Sequence, residues 1–207
     1  MKKVFIYGDS NVWGDNFFEG MRIPFDKQWP NILQSKLGSD YLVYQEGLPG
    51  RVAGSLEGVK TYKNGRDCFL ATFRTKAPVD YIFIMLGTND LQVKYDRDSF
   101  SIVSDLLWYK DVILEQYSDL DDRKKYFVDG QLPKFVYILP ANFSDTFVFN
   151  EKSHIVRGEI IEFFKKNFDS DDFIVLDDMP LFSDGIHLNY LGHEKVSDIV
   201  FGVIKKG

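Results

Sequence analysis

Residues 4–10 read Val4-Phe5-Ile6-Tyr7-Gly8-Asp9-Ser10. Four strand-forming residues run into a glycine and two small polar side chains. This is the pattern of a buried strand that ends in a tight turn, and it leaves a serine hydroxyl just past the strand's carboxyl end. The pattern recurs along the chain. Ile82-Phe83-Ile84-Met85-Leu86 runs into Gly87-Thr88-Asn89-Asp90, and the turn Asp184-Gly185-Ile186-His187 follows the run Phe173-Ile174-Val175-Leu176.

Strands are expected at 3–7, 41–45, 81–86, 135–139 and 173–176, alternating with segments of helical period, which indicates parallel α/β architecture. Ile102, Val103, Leu106, Leu107, Ile113, Leu114 and Tyr117 trace a long amphipathic helix that Asp98 or Ser99 can cap. Ile155, Val156, Ile160, Phe163 and Phe164 trace another, and Leu191, Val196, Ile199, Val200 and Val203 the last. Two segments stand outside this alternation. The glycine-rich stretch 47–78 follows the second strand at the edge where open α/β sheets bind ligands, so it is expected to shape a pocket. The polar stretch 118–133 is expected to be a solvated excursion.

The 207 residues, 44% hydrophobic and 27% charged, fit a single domain over 1–207 with a core large enough to stand without staples. A net charge of −6 argues against a nucleic-acid partner, whose phosphates require basic surface. The lone Cys68 has no internal disulfide partner, and no long apolar stretch precedes the first strand. A soluble protein without a membrane span is expected, cytoplasmic on the simplest reading; a mature secreted form fits the same residues.

A serine hydroxyl needs a base to take its proton, and the chain has three histidines. His154 and His193 lie on helical segments, where surface or partly packed roles are the default. His187 follows Asp184 by three residues across a glycine turn, a spacing that lets the carboxylate hold the ring nitrogen facing away from serine. An ester oxyanion also needs donors already in position, which the Asn89 amide, the Ser10 N–H and an N–H of Gly47-Leu48-Pro49-Gly50 can supply. Each piece has a plainer reading. Gly8-Asp9-Ser10 equally ends a strand with Asp9 or Ser10 capping a helix, Asn89 equally makes an Asx turn, and 184–187 equally leads into a helix at Tyr190. What favours chemistry is that Ser10, Gly50, Asn89 and His187 all follow expected strands at one edge of one sheet.

No Gly-x-Ser-x-Gly elbow surrounds Ser10, which counts against the ordinary α/β-hydrolase fold. Gly47, Gly50, Gly54 and Gly58 do not make a dinucleotide fingerprint, and there is no P-loop. Asp177, Asp178, Asp184 and His187 lack a second histidine at ligand spacing.

Taken together, these blocks resemble the SGNH hydrolases, the GDSL esterase/lipase superfamily. Gly8-Asp9-Ser10 matches the serine block, Gly50 in Glu46-Gly47-Leu48-Pro49-Gly50-Arg51 the glycine block, Gly87-Thr88-Asn89-Asp90 the asparagine block, and Asp184-Gly185-Ile186-His187 the last. The pair Trp13-Gly14 is similar to the arylesterase and acyltransferase branch, while Asn11 stands where leucine or isoleucine is usual and Val12 where that branch has threonine. The resemblance implies a flavodoxin-like three-layer α/β/α sandwich with a five-stranded parallel sheet and neither metal nor organic cofactor. It implies a serine esterase for small carboxylic esters, with Ser10, His187 and Asp184 catalytic and Ser10, Gly50 and Asn89 forming the oxyanion hole. Trp13 and Phe143, in the aromatic stretch 143–149, are expected to line the entrance. A small-molecule ester is the expected partner, acyl transfer to alcohols an extension, and a homo-oligomer is compatible with the sequence. The alternatives are an O-deacetylase of carbohydrates or metabolites at the same site, and a non-catalytic small-molecule or glycan-binding module on the same fold.

Overall fold

A computed structural model describes residues 1–16 and 20–206. Five parallel strands, β1 (Lys2–Gly8), β2 (Tyr41–Gly47), β3 (Tyr81–Met85), β4 (Lys134–Ile138) and β5 (Phe173–Ile174), form one sheet in the order β2-β1-β3-β4-β5. Gly8 stands opposite Gly47 on one side and Met85 on the other. The carboxyl ends of these three strands therefore lie level, and the turns that follow them open on one edge. The chain leaves β1 for one neighbour and later crosses to the other, which makes this edge the topological switch point where such sheets bind ligands.

Side chains alternate across a strand, so each strand feeds two cores. Phe5, Tyr7, Ile82, Ile84, Phe135 and Tyr137 pack beneath α3 (Gly65–Lys76), α4 (Ser99–Gln116) and α6 (Glu151–Asn167). Val4, Ile6, Phe83, Met85, Val136 and Ile138 pack beneath α2 (Trp29–Leu37) and α7 (Tyr190–Lys206). Burial on both faces is why these strands read as unbroken apolar runs. The expected three-layer α/β/α sandwich is the observed fold.

The three helices expected from periodicity are α4, α6 and α7. Asp98 caps α4, accepting the Ser101 N–H at 2.7 Å. Leu114, Ile155 and Leu191, counted in the apolar period, lie on the solvent side.

Neither segment set outside the alternation is irregular throughout, and 118–133 is mostly exposed, as a solvated excursion is. Segment 47–78 is not loop throughout, because α3 occupies its second half and buries Phe69 and Phe73, four residues apart, against β1. Segment 118–133 contains α5 (Leu120–Tyr126), capped by Asp119, and the following Phe127 is buried against Tyr117, with ring centroids 4.9 Å apart. The helix α2, which the periodicity reading did not identify, buries Trp29, Leu33 and Leu37. Among the described residues no helix is long and apolar enough to cross a membrane.

Candidate active site

Asp9 caps the single turn α1 (Ser10–Trp13), its Oδ1 accepting the Asn11 N–H at 2.9 Å, and Gly14 closes the turn in the left-handed conformation at φ 85°. Both readings of Gly8-Asp9-Ser10 thus meet in one place. Asp9 is the cap, and Ser10 is the first helical residue, where a backbone N–H has no intrahelical acceptor. Ser10 is 7% exposed.

The last turn brings His187 to this serine. His187 Nε2 lies 3.0 Å from Ser10 Oγ, and His187 Nδ1 lies 2.6 Å from Asp184 Oδ2. The other carboxylate oxygen of Asp184 accepts the Ile186 and His187 N–H groups at 2.9 and 3.0 Å. Burial alone pushes the Asp184 carboxyl up, but the His187 N–H, the His187 ring and the Ile186 N–H outweigh it and hold the group below its usual range. An ionised carboxylate only accepts, so Nδ1 carries the ring proton and Nε2 is left to accept the Ser10 O–H.

Gly50 sits in a turn at φ 75°, a conformation that suits glycine. A Cβ on Gly47 would collide with the backbone of Trp13, so this strand end meets α1 only without a side chain. Asn89 Nδ2 donates to the Arg51 carbonyl at 3.0 Å, and Asn89 Oδ1 accepts from Gln92 Nε2 at 2.9 Å. A carbonyl cannot donate, which fixes the orientation of the Asn89 amide and leaves its second N–H uncommitted. Arg51 is buried, donates to the carbonyls of Gly8 and Glu46 at 2.8 and 2.6 Å, and lies 4.0 Å from the Tyr7 ring centroid. Hydrogen bonds therefore stitch the serine, glycine and asparagine turns together.

Beneath them runs a chain of alternating charge. Asp90, fully buried, accepts the Ala53 N–H at 2.8 Å and pairs with Arg97; Arg97 also pairs with Asp105, which reaches Arg66 at 2.9 Å. Burial lifts the Asp90 carboxyl to about 6, against the pull of Arg97 and the Ala53 N–H. Asp9 is lifted to about 6 by burial as well, partly offset by the Asn11 N–H and by His187. Its Oδ2 has no hydrogen-bond partner among the described residues.

Trp13 shares the serine turn with Ser10. It ends α1, half-buried, with the Arg22 guanidinium 5.0 Å from its ring centroid. Phe143 is buried in the core, 4.4 Å from the Phe149 ring centroid and stacked on His154 at 4.5 Å, and the next residue, Ser144, donates its N–H to the Gly185 carbonyl in the His187 turn. His154 pairs with Asp145 at 2.9 Å. His193 is fully buried, accepts the Trp29 N–H at 3.1 Å, and is held neutral by burial, which drives it to about 3. Asp177 pairs with Arg157 at 2.6 Å. Arg51, Asp90, Gln92 and Arg97 were not singled out from the sequence. Arg51 and Asp90 adjoin expected site residues, and that adjacency was the only signal available.

The family model for GDSL-like lipase/acylhydrolase matches residues 4–200. A carbohydrate acetylesterase family member from Sinorhizobium meliloti is 25% identical with a TM-score of 0.76, the match covering 100% of this chain and 98% of that one. A second carbohydrate acetylesterase from that organism is 21% identical with a TM-score of 0.81, covering 100% and 99%. The inhibitor-bound aryl esterase of M. smegmatis is 20% identical, also at 0.81, covering 100% and 99%. No curated protein matches the sequence.

Proposed function

Since this chain belongs to the GDSL-like lipase/acylhydrolase family, we propose that it is a serine esterase that removes small acyl groups, acetyl first among them, through an acyl-enzyme. The observation that carries the reading is the hydrogen-bonded series Ser10 Oγ, His187 Nε2, His187 Nδ1, Asp184 Oδ2, built from turns 177 residues apart.

In this reading Ser10 Oγ attacks the ester carbonyl carbon while His187 Nε2 takes its proton, and Asp184 stabilises the imidazolium that forms. The Ser10 N–H, the Gly50 N–H and the uncommitted N–H of Asn89 meet the charge on the carbonyl oxygen. His187 returns the proton to the leaving alkoxide, releasing the alcohol and leaving Ser10 acylated. Water then adds with His187 as base, and the acid departs; an alcohol in place of water gives transfer instead of hydrolysis. The acetyl preference is supported by the 25% identical neighbour, a carbohydrate acetylesterase family member, and it makes an acetylated sugar hydroxyl a natural leaving group.

The test is the initial rate on p-nitrophenyl esters from C2 to C12, with acetylated xylose as a second substrate and a primary alcohol added to trap acyl groups. The expected result is a kcat/KM maximum at acetate or propionate and release of acetate from the sugar. A maximum at octanoate or beyond rejects the small-acyl reading, and no hydrolysis of any ester rejects the esterase.

A further inference from the structure

Among the hydrogen-bonded backbone N–H groups of residues 180–189, the part of the loop that carries His187, one leaves the segment. Gly185 donates to Phe182, Ile186 and His187 donate to Asp184, and Asn189 donates to Pro180, all within ten residues. Leu188 instead donates to Asn11 Oδ1 at 2.9 Å, across 177 residues and in a fully buried setting. Asn11 is itself 2% exposed, and its own N–H is held by Asp9. Two adjacent pairs therefore join the same two turns: Ser10 with His187 and Asn11 with Leu188.

The first pair must open and close as the proton moves and substrate enters. The second involves no reacting atom, so nothing in the proposed reaction requires it to open. We propose that Asn11 is a positioning residue whose side-chain oxygen, by holding the Leu188 N–H, sets His187 Nε2 within hydrogen-bond reach of Ser10 Oγ. Asp184 orients the ring within its own loop, whereas Asn11 orients the loop against the serine. Both restraints are needed because reacting groups misplaced by about 1 Å lose on the order of 10²-fold in rate. The proposal rests on Ser10 and His187 acting as the reacting pair.

Three variants test it: Asn11→Leu, near in shape but without the acceptor; Asn11→Ala, without acceptor or bulk; and Asn11→Asp, which keeps an oxygen in place. Each is read by kcat and KM on p-nitrophenyl acetate and by hydrogen exchange at the Leu188 amide. The expected result for Asn11→Leu is a 10- to 100-fold fall in kcat with KM within threefold. Its Leu188 exchange rises at least tenfold, while the Ile186 and His187 amides, held by Asp184, stay as they were. Asn11→Asp should keep both kcat and Leu188 protection within fivefold of wild type.

The proposal is overturned by an Asn11→Leu protein with wild-type kcat, by Asn11→Asp falling as far as Asn11→Leu, or by a change confined to KM. Should Asn11→Leu not fold, Asn11→Ala is read in its place. If neither folds while Asn11→Asp does, the residue is structural and the positioning claim falls. A wild type that hydrolyses no ester rejects the esterase reading instead, and Leu188 exchange then decides alone whether Asn11 holds the loop.

Discussion

Asp9 is a costly side chain at the serine turn, since one of its oxygens caps α1 while the other is buried without a hydrogen-bond partner among the described residues. Burial lifts its carboxyl from 3.8 to about 6, so ionising it costs more in the folded chain than in the unfolded one. Well below its unfolded value of 3.8 the group is neutral in both states and imposes no penalty. As pH rises from about 4 to about 6 the unfolded state sheds the proton first, stability falls, and above 6 the full penalty remains. Asp9→Asn keeps the capping oxygen and removes the charge. It is expected to be about 2 kcal/mol more stable than wild type at pH 7.5, an advantage that falls to a fraction of that near pH 4. Urea unfolding at both pH values reads it, and a variant less stable than wild type at pH 7.5 would show that the carboxylate is compensated. Residues of this kind divide sharply in how legible they are. Ser10 and Asn89 announce themselves because each follows an apolar strand in a short polar turn, and His187 because Asp184 precedes it by three residues across a glycine turn. The partner of Asn11 does not, because nothing near residue 11 records which buried N–H, 177 residues away, its amide will take.

At the scale of elements, the turns after β2 and β3 are held by side chains that come from behind the site. Asp90 ties its own turn to Ala53, and Arg97, just before α4, satisfies Asp90 and Asp105 together. Removing one partner of a buried pair leaves the other charge uncompensated, typically at 3–5 kcal/mol. Arg97→Met is expected to lose about 3 kcal/mol at pH 8 and less at pH 5.5, where Asp90, already lifted to about 6, is largely protonated and has less charge to strand. Because Asp90 neighbours Asn89, kcat should fall with KM little changed. Wild-type stability of Arg97→Met at pH 8 would mean that the pair contributes nothing to holding these turns. The helices behind the site differ in the same way as the residues. The long periods of α4, α6 and α7 are readable because they bury a stripe over several turns. In α2 the stripe is only Trp29, Leu33 and Leu37, at steps of four over nine residues, and Pro30 and Ile32 between them blur the period. In α3 the fully buried aromatics are Phe69 and Phe73, on a helix that opens with glycine, so packing against β1 decides its state more than its own periodicity does.

Across the whole molecule, function follows from the level ends of β1, β2 and β3. A parallel sheet sends every turn after a strand to one edge, and the order β2-β1-β3 places the turns bearing Gly50 and Asn89 on either side of the one bearing Ser10. The unbroken apolar runs made this architecture readable, since only strands covered on both faces are written that way. The order of motifs along the chain could not say how the turns are fastened together, because that depends on Arg51, Asp90 and Asn11, whose contacts exist only in the folded chain. The proposed function claims that this edge assembles a serine nucleophile. Its most direct test is the turnover of p-nitrophenyl acetate by purified Ser10→Ala beside wild type, with Tm measured on both. Ser10 is buried, but removing its hydroxyl costs only about one hydrogen bond, on the order of 1 kcal/mol, which should leave Tm within about 5 °C, and should lower kcat at least about 10³-fold. A folded Ser10→Ala protein that retains a tenth or more of wild-type turnover would contradict the claim and place the nucleophile elsewhere.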